Sequence, residues 1–485
     1  MYALNQNHKK TIYIPPDGII ITPSGMRGEF GKVLTLEVIL RFTKSYGLWM
    51  GKNSEVIVGR DTRNSSIIIS NVIISALNAV GIDVIDVGVC PTPAILHYKR
   101  KHNIDGAAII SGSHNPPKDN GIKFLSRTHT FLGKKELNEI NEFFLYKDDL
   151  SAENWQDLGT INEREIIADY LNALKEELNT DIFSSNKLKV VIDPGAGAGT
   201  NVTSKILKSL HCNVFEINEK FIDYPNFPRP IEPIKPHLDK LSEEIQKRKA
   251  DVGFAHDCDA DRVALVGATG KVYPEDIIII LVIRYILQRH AESENPAKII
   301  IVTNSASSLM FEKVAEQFNA EIIRTPVGER HLATKMNNLI DDNPGLLIFG
   351  GEGSSGGLMY PRFNNARDGI FAACLVCELL CYYQKSIDEL VEELPRFFTT
   401  RIKIKTAGLA VNEVLAKIKQ NLSEKKVEYE IIDRDIKILN MENEEWTLIH
   451  PSNTEPVIRI ITEARIKKRA DTLCGKMSEL IKNYI

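Results

Sequence analysis

Residues 107–123 read A-A-I-I-S-G-S-H-N-P-P-K-D-N-G-I-K, and this stretch carries strong signals for both fold and chemistry. Its first four residues form a continuous apolar run, which is typical of a strand buried on both faces of a parallel sheet. The Gly, Asn and Pro residues that follow predict a loop. The loop would present Ser113 beside His114 and Lys123, whose side chains can activate a serine hydroxyl as a nucleophile. An ordinary turn is the alternative, because Ser, Gly, Asn and Pro are common turn formers.

Similar strand-to-loop transitions recur along the chain. Apolar strands at residues 56–58, 190–192, 299–302 and 346–349 open directly into Gly- or Ser-rich turns, with amphipathic stretches between them. This alternation is typical of βαβ units, which form parallel sheets covered by helices. We expect three α/β domains of related layout. From about Leu394 the pattern changes to alternating strands with charged faces and a final helix, which predicts a smaller α+β domain.

Bulk properties exclude several classes of protein. With 485 residues the chain is too long for one core, so three or four domains are expected. A net charge of −4 argues against binding to nucleic acid or to an anionic membrane. The most obvious apolar run, residues 277–283, is far shorter than the ~20 residues of a membrane span, and residues 9–16 do not resemble a secretory signal. Seven unevenly spaced cysteines argue against a disulfide framework, so we expect a cytoplasmic protein.

A second short strand, predicted at residues 252–256, leads into the run D-C-D-A-D-R. Two carboxylates about 5 Å apart repel each other by roughly 3 kcal/mol at an effective dielectric of 20. The crowded trio of Asp257, Asp259 and Asp261 is therefore tolerated mainly when a cation neutralises it. A hard ion with oxygen ligands, such as Mg²⁺, is the natural candidate. A solvated acidic turn is the alternative.

Two further loops carry groups suited to a sugar phosphate. The run G-G-E-G-S-S-G-G at residues 350–357 places Glu352 among glycines, which allow the backbone to approach sugar hydroxyls closely. The run H-P-S-N-T-E-P-V-I-R at residues 450–459 offers backbone amides, small polar side chains and a cation, which together can hold a phosphate. Each loop alone is weak evidence, because Gly-rich turns often only turn the chain.

A dinucleotide site is a minor alternative. The run D-P-G-A-G-A-G-T at residues 193–200 follows a predicted strand, and Glu216 lies where a ribose-binding acid is expected. However, the third glycine comes one residue early, and Thr200 occupies the sixth position of the motif.

Taken in order, these segments resemble the α-D-phosphohexomutase family, which comprises phosphoglucomutases, phosphomannomutases and phosphoglucosamine mutases, over essentially the whole chain. The matching segments are S-G-M-R-G (24–28), V-G-R-D-T-R (58–63), S-G-S-H-N-P (111–116), D-C-D-A-D-R (257–262), T-P-V-G (325–328), G-E-G-S (351–354), A-R-D-G (366–369) and P-S-N-T-E-P (451–456). The resemblance implies an α/β protein of four domains around a central cleft. The domains would be an α/β domain with the phosphoserine loop (1–155), an α/β domain with the metal loop (156–271), an α/β domain with the sugar loop (272–384) and a smaller α+β domain with the phosphate loop (385–485).

The resemblance also implies a reaction. Ser113 would be carried as a phosphoserine and would donate its phosphoryl group to a hexose monophosphate. The resulting hexose 1,6-bisphosphate would then return its other phosphate, so that hexose 1-phosphate and 6-phosphate interconvert. Mg²⁺ would be held by Asp257, Asp259, Asp261 and an oxygen on Ser113. The enzyme would be a Mg²⁺-dependent isomerase of the phosphoglucomutase/phosphomannomutase type or, alternatively, a phosphoglucosamine mutase.

Further roles follow from the same resemblance. Arg27 and Arg262 would neutralise charge on the moving phosphoryl group, while Lys123 and His114 would handle the proton of the attacking hydroxyl. The substrate would be bound by Gly328, Glu329, Glu352, Ser354, His450, Ser452, Asn453, Thr454 and Arg459. Hexose phosphates would be the partners, with no nucleic acid or membrane, and the protein would be a monomer or homodimer.

Three positions depart from the family pattern. Cys258 replaces a glycine in the metal loop, where a side chain is costly if the backbone needs a positive φ. Glu329 stands where some members have histidine, and His450 replaces an arginine, which predicts weaker or pH-dependent phosphate binding. Two other functions stay open: an aspartyl phosphatase that uses Asp257 as nucleophile, and a non-catalytic sugar-phosphate sensor.

Overall fold

A computed structural model describes residues 2–4, 11–23, 25–147, 150–293, 297–353, 356–406, 411–452 and 457–485. The chain divides into two compact units. The first unit comprises Met1–Pro274 and Gly357–Asp388, and the second comprises Glu275–Gly356 and Glu389–Ile485.

The first unit begins with a seven-stranded sheet in the order β3-β4-β8-β7-β5-β6-β9. Its central strands β5, β6 and β7 are parallel, whereas β8 runs antiparallel to β7. All residues of β7 are buried, as the apolar run at 107–110 predicts. The elements are β1 (Tyr2–Leu4), β2 (Thr11–Tyr13), β3 (Ile20–Thr22), β4 (Gly25–Glu29), α1 (Leu36–Met50), β5 (Glu55–Arg60), α2 (Asn64–Asn78), β6 (Asp83–Val89), α3 (Thr92–Lys101), β7 (Gly106–Ile110), β8 (Asp119–Leu125), α4 (Lys134–Tyr146) and β9 (Ile161–Glu163).

A four-stranded sheet follows, in the order β11-β10-β12-β13. Strands β10, β11 and β12 are parallel, and β13 returns antiparallel to β12. The predicted strand at 252–256 is confirmed and is buried throughout, so its end delivers the aspartate trio to the edge of the sheet. The elements are α5 (Ile167–Glu177), α6 (Asp181–Ser184), β10 (Lys189–Asp193), α7 (Val202–Ser209), β11 (Asn213–Glu216), α8 (Asp239–Arg248), β12 (Val252–His256) and β13 (Val263–Gly267).

The second unit contains a third parallel arrangement, with the strand order β15-β14-β16. The apolar run at 277–283 lies inside α9 and is buried. No helix in the described part of the chain is both long and apolar enough to cross a bilayer. The elements are α9 (Glu275–Ala291), β14 (Ile299–Asn304), α10 (Met310–Glu316), β15 (Glu321–Thr325), α11 (Glu329–Asp342) and β16 (Leu347–Glu352); the chain then returns to the first unit as β17 (Gly357–Tyr360), β18 (Asn364–Arg367) and α12 (Gly369–Tyr383), followed by α13 (Ile387–Glu392).

The C-terminal part of the second unit is an antiparallel sheet in the order β19-β23-β22-β21-β20. Its apolar face packs against α14 and α15. The predicted fold class is confirmed: three α/β regions precede a smaller α+β domain. The elements are β19 (Phe398–Lys405), α14 (Val411–Glu424), β20 (Glu430–Ile432), β21 (Asp435–Asn440), β22 (Glu445–Pro451), β23 (Val457–Ala464) and α15 (Lys467–Lys482).

A lysine is buried on the other face of this sheet. Lys437 on β21 donates from its Nζ to the carbonyl oxygen of Ser305 at 2.9 Å and lies 4.9 Å from the centre of the Trp446 ring. Its surroundings include the apolar cluster of Leu309 and Leu448. Burial lowers the pKa of Lys437 to about 7, and the positive charge of Arg324 contributes to this shift.

This burial predicts a pH-dependent stability. Between about pH 7 and 10.5 the unfolded chain holds the Lys437 proton more firmly than the folded protein does, so the free energy of unfolding rises with pH in that window. We expect Lys437→Met to raise the free energy of unfolding by about 1–3 kcal/mol at pH 6.5, and by about half as much at pH 9. Urea unfolding at both pH values measures this difference. Lys403→Met, at an exposed position of β19, is the matched control, and equal gains at both pH values for Lys437→Met would contradict the prediction.

Candidate active site

Ser113 lies just past the end of β7 in a left-handed backbone conformation, with φ at 50°. This conformation costs a residue other than glycine about 1–3 kcal/mol and persists only where the surroundings hold it. The Ser113 amide donates to the Ser111 hydroxyl at 2.8 Å. The Ser113 hydroxyl donates to Oδ2 of Asp257 at 2.8 Å. The loop thus aims the predicted nucleophile at the first aspartate of the trio, and Ser113 is only 3% exposed.

Arg63 holds the Ser113 loop in place through hydrogen bonds to its backbone carbonyls. It is completely buried, and Asp61 accepts from its Nε at 3.0 Å. A Cβ on Gly112 would lie 2.6 Å from the Arg63 guanidinium carbon, so a larger residue there would displace the guanidinium from its hydrogen bonds. The two terminal nitrogens donate to loop carbonyls at 2.7–3.0 Å, namely those of Ser113, Asn115, Pro116 and Asp119. Arg63 therefore supports the serine loop, a role that no local pattern in the V-G-R-D-T-R segment indicates.

Asp257, Asp259 and Asp261 are all buried, and one oxygen of each lies within 4.8 Å of the other two. Among the residues that the structure describes, they alone form a group of three or more potential metal ligands. Oδ1 of Asp259 and Oδ1 of Asp261 are buried and have no hydrogen-bond partner within the part of the chain that the structure describes. Buried carboxylate oxygens without partners are costly unless a cation binds them. The donor set therefore fits a hard divalent ion such as Mg²⁺.

Cys258 does not strain this loop. The left-handed residue of the D-C-D-A-D-R turn is Ala260, with φ at 55°, and Cys258 is not among the residues with positive φ. The Cys258 thiol is buried 3.8 Å from the hydroxyl of Thr62. The expected backbone cost of replacing glycine therefore does not arise at this position.

Cations surround the trio. Nζ of Lys123 lies 2.8 Å from Oδ2 of Asp259 and 3.0 Å from Oδ2 of Asp261. Nη2 of Arg367 also donates to Oδ2 of Asp261, at 2.7 Å. The Nε of Arg262 lies 3.9 Å from Oδ1 of Asp261. These contacts place three positive side chains against the carboxylates of the trio.

The surroundings separate the proton affinities of the carboxyls. Burial, followed by the charges of Asp261 and Asp259, raises the pKa of Asp257 to about 8. Burial also acts to raise the pKa of Asp261, but the nearby cations, Arg367 foremost, outweigh it and hold that pKa below its usual range. In this environment Asp261 is ionised at neutral pH, whereas Asp257 retains a proton.

His114 follows the serine in a strongly positive environment. Burial, and then Arg262, Arg367 and Arg27, lower the pKa of His114 to about 3. The imidazole is therefore neutral, and its buried Nδ1 has no partner among the described residues. Burial and neighbouring arginines also lower the pKa of Arg27, which lies on β4. The structure thus brings all the predicted catalytic residues together in the first unit.

The glycine-rich loop at 193–200 packs against the metal loop. The Ala198 amide donates to the carbonyl oxygen of Cys258 at 2.8 Å. Glu216 accepts from the amide of Asn201 and from the hydroxyl of Ser204, so its carboxylate satisfies the start of α7. Because Glu216 is occupied as a helix cap, the dinucleotide alternative loses its support.

Arg229, in the proline-rich loop after β11, ties two strands together. Its Nε donates to Oδ1 of Asp193 at 3.0 Å, and its Nη2 donates to the carbonyl oxygen of His256 at 2.7 Å. His256 is the last residue of β12 and directly precedes the aspartate trio. Arg229 therefore holds the strand from which the metal loop starts. In the sequence, the only signal that distinguishes it from other arginines is its position between prolines.

The A-R-D-G segment packs the start of α12 against the same loop. Asp368 caps the helix by accepting from the amide of Phe371 at 2.8 Å. A Cβ on Gly369 would lie 2.5 Å from the carbonyl oxygen of Arg262, so only glycine allows this approach. With Arg367 on Asp261, three consecutive residues of the segment support the metal loop.

In the second unit, Glu352 ends β16 and is largely buried. Its Oε1 accepts from the amide of Gly328 at 3.0 Å and from Nδ2 of Asn304 at 3.3 Å. Glu329 directly follows Gly328 as the first residue of α11. The predicted sugar-binding residues Gly328, Glu329 and Glu352 are thus neighbours, and Asn304 is an additional member of this group that no sequence signal marked.

Two of the predicted phosphate-binding residues, His450 and Arg459, lie on adjacent strands of the C-terminal sheet. His450 on β22 pairs directly with Arg459 on β23. Nδ1 of His450 lies 2.7 Å from Oδ1 of Asp435, which fixes the orientation of the imidazole. The Ser452 amide donates to the carbonyl oxygen of residue 457 at 3.0 Å. Three predicted substrate-binding residues fall outside the described residues: Ser354, Asn453 and Thr454.

Three family models match the chain. They are described as phosphoglucomutase/phosphomannomutase alpha/beta/alpha domains I, II and III, and they match residues 19–150, 168–270 and 274–398, respectively.

Curated relatives match nearly end to end. A probable phosphoglucosamine mutase of Pyrococcus abyssi is 32% identical over 95% of this chain and 97% of its own length. A phosphoglucosamine/phosphogalactosamine mutase of Sulfurisphaera tokodaii is 31% identical over 96% of this chain and 99% of its own. Among solved structures, a phosphoglucomutase/phosphomannomutase family protein of Burkholderia thailandensis aligns with a TM-score of 0.79 at 20% identity, covering 96% of this chain and 98% of that one.

Proposed function

Because this chain belongs to the α-D-phosphohexomutase family, we propose that it interconverts glucosamine 1-phosphate and glucosamine 6-phosphate through a phosphorylated Ser113. The sequence predicts either a phosphoglucomutase/phosphomannomutase or, alternatively, a phosphoglucosamine mutase. The two hypotheses share one mechanism and differ only in the sugar. The names of the relatives support the narrower alternative.

The single observation that carries the proposal is the contact between the Ser113 hydroxyl and Asp257 at 2.8 Å. It joins the predicted nucleophile to a carboxylate trio that fits a divalent ion. When bound, Mg²⁺ would be held by Asp257, Asp259 and Asp261 and would supply positive charge to the phosphoryl group on Ser113. Catalysis of phosphoryl transfer depends mainly on positioning the phosphoryl group and neutralising its negative charge in the transition state.

The protein's own residues account for the other parts of the reaction. A sugar hydroxyl attacks the phosphorus on Ser113, the bond from phosphorus to the serine oxygen breaks, and a bond to the sugar oxygen forms. The hydroxyl proton passes by way of a base to the serine oxygen as that oxygen leaves, and the neutral His114 offers for this an Nδ1 that has no partner among the described residues. Lys123 is positioned by Asp259 and Asp261 to deliver a proton in the return step. Arg27 and Arg262 add positive charge on the phosphoryl side.

Hexosamine 1,6-bisphosphate is the intermediate and also the activator that phosphorylates a free Ser113. We assign the sugar to Glu352 with Gly328, Glu329 and Ser354. The non-reacting phosphate is assigned to the residues of the phosphate loop: His450, Ser452, Asn453, Thr454 and Arg459. A cytoplasmic location and a monomeric or homodimeric state remain predictions.

Glu352 offers a physical reason to favour an amino sugar. Its carboxylate can form a charge-assisted hydrogen bond with the ammonium group of glucosamine, which is stronger than a bond to the neutral hydroxyl of glucose. A site built around such a pair discriminates against the analogue that lacks the charge.

The test compares kcat/KM for the 1-phosphates of glucosamine, glucose and mannose, with Mg²⁺ and the matching bisphosphate present. We expect glucosamine 1-phosphate to be preferred by about tenfold or more. Glu352→Gln should lower kcat/KM for glucosamine phosphate more than for glucose phosphate. A preference for glucose or mannose phosphate would refute the amino-sugar assignment, while absence of turnover with all three would refute the mutase.

A further inference from the structure

The active centre holds more positive charge than its carboxylates need. Among the described residues of the first unit, four cationic side chains surround the three aspartates: Arg27, Lys123, Arg262 and Arg367. With Asp257 protonated, these groups carry a surplus of about two positive charges before any ion binds, and about three once a divalent cation has replaced the Asp257 proton. A surplus of this size in a buried site is unfavourable unless an anion is held there as well.

Of these four cations, Arg367 is the one whose presence is least explained by a need to neutralise the aspartates. Its guanidinium donates to Oδ2 of Asp261 at 2.7 Å, but Lys123 already lies 3.0 Å from that same oxygen. One carboxylate oxygen thus receives two cations. Neutralising Asp261 would need only one of them.

The protein nevertheless makes room for this arginine. Arg367 is only 7% exposed. A Cβ on Gly357 would lie 2.3 Å from the Cδ of Arg367, so β17 carries a glycine where the arginine stem passes. The Asp368 cap and the close approach of Gly369 to Arg262 hold the next two residues in place. The position of the guanidinium is therefore set both by the neighbouring strand β17 and by the two residues that follow Arg367.

The charge of Arg367 reaches the serine loop. It contributes to the lowered pKa of His114, which directly follows Ser113, and to the lowered pKa of Arg27. A positive potential that disfavours additional protons at His114 also favours a phosphate group next to it. A phosphoserine carries a charge of about −1.5 to −2 at pH 7, which offsets most of the surplus at the centre.

We propose that Arg367 is a charge-balancing residue that shifts the equilibrium of Ser113 toward its phosphorylated form and so keeps the enzyme primed for turnover. The inference rests on the proposed function. The equilibrium is the reaction of hexosamine 1,6-bisphosphate with the free serine. A phosphorus–oxygen bond to the sugar breaks, a phosphorus–oxygen bond to Ser113 forms, and the serine proton passes to the released sugar oxygen, giving hexosamine monophosphate.

The experiment measures the phosphorylated fraction of Ser113 by intact-protein mass spectrometry after equilibration with set ratios of glucosamine 1,6-bisphosphate to glucosamine 6-phosphate in Mg²⁺. For Arg367→Gln we expect about a tenfold higher ratio to be needed for half-phosphorylation. The concentration of bisphosphate that half-activates turnover should rise by a similar factor. Arg367→Lys, which keeps the charge, should stay within about threefold of the wild type. Arg362→Gln is the matched control, because its side chain is 73% exposed in the same hairpin.

Mg²⁺ binding to the dephosphorylated protein, measured by calorimetry, separates this role from simple support of Asp261. Removing a neighbouring positive charge should leave Mg²⁺ affinity equal or higher, whereas loss of a support for Asp261 would weaken it. Weaker Mg²⁺ binding by Arg367→Gln, or an unchanged phosphorylated fraction, overturns the proposal. If Arg367→Gln does not fold, loss of phosphorylation in Arg367→Lys overturns it instead. A wild-type protein that accepts no phosphate from the bisphosphate would refute the proposed function itself.

Discussion

Ser113→Ala is expected to abolish interconversion of glucosamine 1-phosphate and 6-phosphate, with a loss of about 10⁴-fold or more in kcat. The hydroxyl is the only group at this position that can carry the phosphoryl group between the two ends of the sugar. Phosphate on the isolated protein should disappear together with the activity. A coupled assay of turnover and an intact-protein mass measurement check both outcomes.

Two controls make the loss interpretable. Ser113→Gly removes the hydroxyl but suits the φ of 50°, so it should be inactive while being at least as stable as the alanine variant. Ser45→Ala, which deletes a buried hydroxyl bonded to its own helix, should keep full turnover. Retained activity in Ser113→Ala would refute the nucleophile assignment. Radiolabel that hydroxylamine removes would instead indicate an acyl phosphate and favour Asp257 as the nucleophile.

The second large effect is expected for Asp257→Asn, which should lower kcat by about 10²–10³-fold. Losing one group that stabilises charge in a transition state typically has an effect of this size. Its effect on stability should depend on the ion. Without divalent cations the variant should be as stable as the wild type or more stable, because burial and two neighbouring carboxylates oppose the charge on Asp257. With Mg²⁺ at about 100 times its dissociation constant, the wild type should gain about 2.7 kcal/mol, and the variant much less.

Thermal unfolding with EDTA and with Mg²⁺ measures this difference without relying on activity. Asp251→Asn is the matched control, since that carboxylate is exposed just before β12 and its amide replacement can still accept from the amide of Lys189. Equal Mg²⁺ stabilisation of wild type and Asp257→Asn would contradict the assignment of the trio as the metal site.

Much of this site was predictable because its signals are local. The apolar run before Ser113 and the strand before Asp257 follow directly from side-chain hydrophobicity, and both strands end where the loops begin. Parallel strands bring the residues at their ends to one edge of a sheet. The sequence alone therefore predicts that the serine loop and the aspartate loop carry chemistry. The glycine-rich run at 193–200 shows the limit of such reasoning, because the same local pattern serves to support the metal loop.

By itself, the sequence determined the order of strands and helices and the residue types in each loop, because backbone propensity and hydrophobic periodicity act over a few neighbouring positions. Only the tertiary structure decided which charges meet. Arg63, Arg229 and Arg367 look like ordinary surface arginines in the sequence, yet each is buried against a carboxylate or a carbonyl oxygen of the active centre. Their partners are up to 106 positions away. Electrostatic pairing depends on distance in space, which the folded chain alone sets.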